Sequence, residues 1–269
     1  MPDRFFRPVM LTALLAALLA GCASKGRPKE VPYVNRGEIV SKLNADARAL
    51  SEFRASLSIY ADVKAWKRRG TVSALLAIAP EDRMRLKLSV LGKNFLDVTS
   101  TGGRLYLLEP EEKRLRVAAL DELASSDSFL GPDTFRAAFL TEPLPPRFLL
   151  KKLPQHYVIV VYSDRDVEGG VVRELYVDRA DLTVSRLVAY DSRGLVLMEA
   201  TYDRYRDIAG VMVPTRIDIT WPGESALMKV KVENITLGIP EANRKALFSP
   251  PAAAGLTVEP LVQKDASSP

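Results

Sequence analysis

The sequence predicts a mainly β fold (α+β): a half-open antiparallel β-barrel of about 10–12 strands covered by lid helices. Three observations carry that expectation. Long stretches alternate apolar and polar residues with a period of two, the mark of a strand with one buried face. The connections between them are too short for the crossovers that parallel pairing demands, so neighbours pair antiparallel. Two stretches, residues 35–52 and 121–153, are the available covers for the apolar face that such a sheet must bury.

Asn35 is placed to cap a first helix, with Glu38 three residues on as in a capping box. Ile39, Leu43, Ala47 and Leu50 then share one helical face. From Phe53 the period changes to two: Phe53, Ala55, Leu57, Ile59, Ala61 and Val63 alternate with polar neighbours through Lys64. Met84, Leu86, Leu88 and Val90 alternate with Arg83, Arg85, Lys87 and Ser89 in the same way. Further strands are expected over 71–79, 95–100, 104–108 and 113–118, with Gly102-Gly103 as a tight hairpin turn.

The period then changes again. Residues 121–128 and 133–140 read as helical, the second opening after Pro132 with Phe135 and Phe139 one turn apart. Pro143, Pro145 and Pro146 break the chain before a short segment at 147–153. Strands resume over 157–163, 171–178, 183–190, 195–205, 211–221 and 226–237. A helical turn at 241–247 closes the domain, and the Pro/Ala-rich remainder reads as a disordered tail over 251–269.

The N-terminus has a different character. Arg4 and Arg7 precede an uncharged apolar run from Val9 to Ala20, shorter than the roughly 20 residues needed to span a bilayer. Leu19-Ala20-Gly21-Cys22 follows, and Cys22 is the one cysteine in 269 residues. This resembles the bacterial lipobox, which implies a lipoprotein signal peptide over 1–21 and lipid attachment at Cys22. A lipidated tether over 22–34 would then join the membrane to a domain at 35–250. Two or three acyl chains, palmitate among them, hold far more firmly than one, at about 0.8 kcal/mol per buried methylene. Ala23, rather than aspartate, follows the cysteine. By the enterobacterial sorting pattern that implies an outer-membrane lipid anchor on the periplasmic side.

Composition narrows the function classes. The formal net charge is a mild +5, and basic residues are scattered without aromatic interleaving, so no nucleic acid is expected as a partner. With Cys22 lipidated no thiol remains, and the one histidine, His156, excludes a multi-histidine metal cluster. No metal, no cofactor and no catalytic residues are expected. His156 stands at a strand start without a partner motif for nucleophilic chemistry. Asp164, Asp166, Glu168 and Gly169 mimic the opening of a calcium loop, but the twelfth position is Leu175 instead of glutamate. Asp178, Asp181, Glu111 and Glu112 stand in turns, where acidic residues are common. Lys64, Lys67, Arg68 and Arg69 around Trp66 read either as a solvated hairpin or as a basic rim for anionic lipid. Leu91 and Phe95 flank a strand connection, and read either as a tip that inserts into a membrane or partner, or as a cover for the sheet end.

The C-terminal pattern carries a family resemblance. Tyr205-Arg-Asp-Ile-Ala-Gly-Val-Met-Val-Pro214-Thr-Arg-Ile-Asp-Ile-Thr-Trp221 is followed by Lys229-Val-Lys-Val-Glu-Asn-Ile235, then Ile239-Pro240 and Leu247-Phe248-Ser249-Pro250. With Phe53-Arg-Ala-Ser-Leu57 and Val90-Leu91-Gly92, this resembles the lipoprotein-localisation superfamily of LolA carriers and LolB receptors, over roughly residues 36–250. The lipid anchor makes it more similar to the LolB side or an uncharacterised relative. The resemblance implies a half-barrel lidded by helices, with an apolar cavity that takes acyl chains. It also implies that Leu91 stands nearest the exposed leucine of the LolB transfer loop, though Gly92-Lys93-Asn94-Phe95 departs from that loop.

The expected function is therefore a membrane-anchored lipoprotein that binds acyl chains or another hydrophobic ligand, in lipoprotein or lipid transfer to the outer membrane. Leu57, Ile59, Leu86, Leu88, Ile217 and Ile219, from the apolar strand faces, are the candidate cavity lining, or equally plain core. The alternative is a non-catalytic envelope scaffold that docks a protein partner. A filled core and an open cavity share one alternating pattern, so the sequence leaves both open.

Overall fold

The computed structural model describes residues 33–63, 68–124, 132–163, 170–223 and 225–261. The signal and lipobox with Cys22, the tether up to Pro32, Trp66 with Lys64 and Lys67, and the acidic loop at Asp164, Asp166, Glu168 and Gly169 lie outside the described residues. The described residues from Val34 onward belong to one compact unit.

Helix α1 (Arg36–Ala49) begins where its cap is strongest. The Asn35 side chain accepts the Glu38 backbone N–H at 2.9 Å, satisfying one donor that a helix start leaves unpaired. Its Ile39, Leu43 and Ala47 are buried, as their spacing requires. Six strands follow: β1 (Phe53–Val63), β2 (Arg68–Ala79), β3 (Arg83–Val90), β4 (Lys93–Thr101), β5 (Arg104–Glu109) and β6 (Arg114–Ala119). Two short helices, α2 (Leu120–Ala124) and α3 (Pro132–Ala138), interrupt the strands. Then come β7 (Phe148–Lys152), β8 (His156–Tyr162), β9 (Val171–Asp178), β10 (Val184–Tyr190), β11 (Val196–Ile208), β12 (Val211–Trp221) and β13 (Ala226–Leu237). Helix α4 (Glu241–Phe248) and β14 (Thr257–Pro260) end the described chain.

The fourteen strands among the described residues join one sheet in the order β14-β6-β5-β4-β3-β2-β1-β13-β12-β11-β10-β9-β8-β7. It is open, with β14 and β7 as free edges, and it does not close into a barrel. Two details differ from expectation. Strand β7 adds an edge at Phe148–Lys152, where the alternating signal is weak because Lys151 and Lys152 are both exposed. Strand β14 pairs parallel to β6, so the chain up to Leu261 is ordered where a disordered tail is expected from residue 251. An exposed four-residue edge strand ending in proline has no hydrophobic period to announce it. The sheet therefore exceeds the expected 10–12 strands by two, and one of its pairings is not antiparallel.

One face of the sheet holds a continuous core with α1 and α3 on it. Ile39 and Leu43 of α1 and Phe135 and Ala138 of α3 meet apolar side chains of β1–β5 and β8–β13. The register lines these up in rows across the strands. One such row runs Val72, Ile59, Val230, Ile217, Tyr202, through β2, β1, β13, β12 and β11. On the opposite face α4 buries Phe248 against Ala77, Ala79 and Ile239. Arg244 of α4 holds Glu52 through two bonds of 2.8 Å.

The entry to α1 is fixed by Tyr157, a fully buried side chain of β8 whose hydroxyl accepts the Val34 N–H at 2.7 Å. Tyr157→Phe keeps the ring and removes that acceptor, leaving a part-buried donor unpaired. The expected loss is about 1–2 kcal/mol, read as a lower urea midpoint at unchanged slope.

Candidate functional site: the covered concave face

The six residues expected to line a cavity all point to the same covered face. Leu57, Ile59, Leu86, Ile217 and Ile219 are buried in the main core, and Leu88 is half-buried against it. Pairing puts Leu88, Ala74 and Leu57 in one row, with Ile59 and Ile217 in the next. They form a contiguous apolar patch, packed rather than open. Among the described residues a small cavity lies to one side, under α1 and the segment after α3. Its volume is about 40 Å³. Pockets that take drug-sized ligands run to roughly 300–1,000 Å³. In this conformation that cavity has room for water but not for an acyl chain.

The lid over that cavity is the stretch from α3 to Leu144. Phe135 and Phe139 anchor it in the core, and the Phe139 ring lies 5.7 Å from that of Phe53 at the start of β1. After α3 the chain turns through Leu140, which takes a left-handed φ of 56°. The Thr141 N–H then bonds back to the Arg136 carbonyl at 3.1 Å, a Schellman-type helix end with leucine where glycine is usual. Polar contacts from three side chains hold the lid down. The Arg136 guanidinium donates to the carbonyl of Ala79, the last residue of β2. The Asn44 side chain of α1 accepts the Leu144 N–H at 2.7 Å. Arg173 of β9 pairs with Glu142 at 2.5 Å and reaches the Pro143 carbonyl at 3.3 Å.

Polar groups also reach the cavity from inside. Arg173 and Tyr205 line it together with apolar Leu43, Leu140, Leu175 and Leu187. Burial pushes the Tyr205 hydroxyl well above its ordinary range, and that hydroxyl donates to the Val184 carbonyl. Tyr202, buried at the end of the Ile59–Val230–Ile217 row, has a hydroxyl without a hydrogen-bond partner among the described residues. Burial raises it well above its ordinary range too, with Tyr205 adding to the rise and Arg173 opposing it.

None of Glu142, Arg173, Tyr202 or Asn44 was expected at a site. One signal was present: Arg173 falls in phase with Leu175 and Val177, so a strand with a buried face carries an arginine on that face. The acidic turn residues have local duties instead. Asp178 accepts the Ala180 N–H, and Asp181 accepts both the N–H and the hydroxyl of Thr183. Glu112 pairs with Arg114 at 2.9 Å. His156 is the half-buried first residue of β8.

The two candidate transfer-loop residues separate. The β3–β4 connection is a two-residue turn, Leu91-Gly92, with φ of 49° and 78°, the geometry of a tight I′ hairpin. Leu91 is 99 % exposed at its tip. Phe95 lies inside β4, half-buried and packed against the main core. It is therefore part of the packing and not of the tip. The antiparallel order puts the β10–β11 connection on the same rim, where Leu195 and Val196 are also exposed. The opposite face offers an open groove of about 330 Å³, but its lining is polar, including Ser58, Tyr60, Arg216, Lys229 and Lys231.

No protein-family model matches the sequence, and no curated protein matches it. Solved structures do resemble it. A LolA superfamily protein from Nitrosomonas europaea superposes with a TM-score of 0.56 at 16 % identity, covering 79 % of this chain and 98 % of its own. An outer-membrane lipoprotein-sorting protein domain from Vibrio parahaemolyticus superposes with a TM-score of 0.54 at 15 % identity, covering 78 % and 95 %. The likeness is one of fold: an open, strand-rich sheet of the LolA type.

Proposed function

We propose that this chain, which has the LolA-type fold, is a non-enzymatic lipoprotein of the bacterial envelope that holds acyl chains or a similar hydrophobic ligand against its concave face. The observation that carries the reading is the construction of that face. An apolar surface contributed by strands from β1 to β13 is covered by α1 and a short lid, and polar contacts from Arg136, Asn44 and Arg173 hold the lid. Apolar burial is worth about 25 cal/mol per Å² and has no direction, so such a surface accepts chains without reading their detail. Lipidation of Cys22, with an outer-membrane anchor on the periplasmic side, belongs to the same reading and rests on the sequence.

Leu91 supplies the second component, contact with the membrane or with a lipoprotein's acyl chains. A leucine in left-handed φ costs roughly 1–2 kcal/mol, and at full exposure it recovers nothing by packing. Replacement by asparagine, which tolerates that conformation, is expected to stabilise the fold by about 0.5–1 kcal/mol and to weaken transfer to vesicles. A melting curve together with a vesicle-transfer assay decides it: a stabilised variant with wild-type transfer removes Leu91 from the mechanism. Leu91→Glu tests the tip without touching the core, whereas Phe95→Glu would report on packing.

Native mass spectrometry of the chain carrying Cys22→Ser, purified gently from cells, tests the whole reading. Lipid retained in a defined ratio is the expected result. A clean apo mass, with no later uptake of a fatty-acid probe, would leave the alternative: a scaffold that uses a filled sandwich of sheet and helices to dock a protein partner. The observation in favour of that alternative is the small volume of the cavity, about 40 Å³.

A further inference from the structure

On the face of the sheet away from the lid, the interior strands β2, β1, β13 and β12 form the open groove of about 330 Å³. Pairing sets its polar lining in two neighbouring rows. One runs Ser58, Lys231, Arg216, and the next runs Thr71, Tyr60, Lys229, Asp218. Arg216, Lys229 and Lys231 are exposed, and Ser58 and Tyr60 are half-buried between them. The charges do not balance. Lys229 has Asp218 at 3.7 Å, and Lys231 has Glu233 at 2.9 Å. Arg216 stands directly opposite Lys231, a like-charged pair of the kind that costs a sheet stability. Its other neighbour is Asp203 of β11, which serves Arg204 instead, accepting that residue's N–H at 2.7 Å and pairing with its guanidinium at 3.9 Å. Among the described residues Arg216 therefore forms no ion pair.

From this arrangement we infer that the groove is a binding site for an anionic saccharide, a sugar chain bearing carboxylate or phosphate groups. Each part of such a chain has a counterpart in the lining. Arg216, with its fork of donors, and Lys231 take the anionic group, and their mutual repulsion is relieved when they share it. Ser58, Thr71 and Asp218 offer donors and acceptors to the ring hydroxyls. Tyr60 presents an apolar ring with a polar tip to the sugar's own apolar face. The volume falls at the lower end of the range for small-ligand sites, roughly 300–1,000 Å³. Two other occupants fit less well. An extended peptide gains its affinity for a sheet by pairing with a free edge, and these four strands have both neighbours already. An anionic bilayer is held by charge alone, and Asp218 and Glu233 in the same patch work against it. The site lies opposite the covered apolar face and stands independently of the acyl-chain reading.

The test is calorimetric titration of the full chain carrying Cys22→Ser with trigalacturonic acid and with its methyl ester. Inorganic phosphate, a hexaglutamate peptide and phosphatidylglycerol vesicles serve as competing occupants. The acid is expected to bind at least about tenfold more tightly than the ester, the ratio that one charge-assisted hydrogen bond supplies. Arg216→Gln should abolish that preference with an unchanged or higher urea midpoint, because it also relieves the like-charged pair. Tyr60→Val, which keeps a good strand former and removes the ring, should weaken acid and ester alike. Equal binding of acid and ester, or an acid preference that survives Arg216→Gln, would overturn the site. Phosphate, peptide or vesicles held as tightly as the trisaccharide, with the same loss in Arg216→Gln, would overturn the saccharide and leave a plain anion, peptide or bilayer surface. No binding of the trisaccharide would overturn the inference outright, while uptake of a fatty-acid probe, which reports on the other face, would be unaffected.

Discussion

Phe53→Ala is expected to destabilise the domain by about 3–5 kcal/mol and to open a void directly under the lid. Phe53 is fully buried at the first position of β1, and its ring is tilted against that of Phe139, just beyond α3. Truncation removes the aromatic pair and the apolar contacts together. The sheet on one side and α1 on the other limit how far the site can collapse, so the cost falls in the upper part of the range for large-to-small changes. The functional consequence is specific. Apolar cavities of this kind stay dry and take small apolar guests such as benzene. Equilibrium unfolding of Phe53→Ala with and without benzene reads both effects. A loss below about 1 kcal/mol, or no stabilisation by benzene, would show that the lid simply follows the truncated side chain inward.

The second large effect is on the opposite face. Asp97→Ala is expected to cost about 3–5 kcal/mol, because it removes the acidic partner of a part-buried arginine. Asp97 is only 6 % exposed and accepts from Arg85 through Nε at 3.0 Å and a terminal nitrogen at 2.8 Å, with Lys87 at 3.8 Å. The remaining Arg85 nitrogen donates to the Leu247 carbonyl at 3.0 Å, so this pair ties α4 to the sheet. Loss of the carboxylate leaves a cation with little solvent access beneath α4. Combining Asp97→Ala with Arg85→Met should recover much of the loss, since an unpaired buried charge is worse than none. Urea denaturation of the single and double variants provides the cycle. If Asp97→Ala costs less than about 1 kcal/mol, the pair behaves as an ordinary surface ion pair.

Much of this architecture was legible before any coordinates. The Asn35 cap, the buried stripe of α1, and strands β9, β12 and β13 fall where capping chemistry and period-two alternation put them. The covered face of the sheet was legible as well, because alternation fixes which side of a strand is apolar. For that reason Leu57, Ile59, Leu86, Leu88, Ile217 and Ile219 do share one surface.

Tertiary structure alone decided the rest. Alternation specifies a face but not the space between that face and its cover, so only packing shows that the cavity under the lid measures about 40 Å³. Leu91 and Phe95 look alike in sequence. A two-residue turn leaves the first in solvent, while the next strand carries the second into the core. The edge strands β7 and β14 bury too little to leave a period behind them. Arg173 and Glu142 come from β9 and from the lid, and no local pattern joins them. Each sits where it does because the sheet order brings distant segments under one lid, and that order is set by long-range pairing rather than by neighbouring residues.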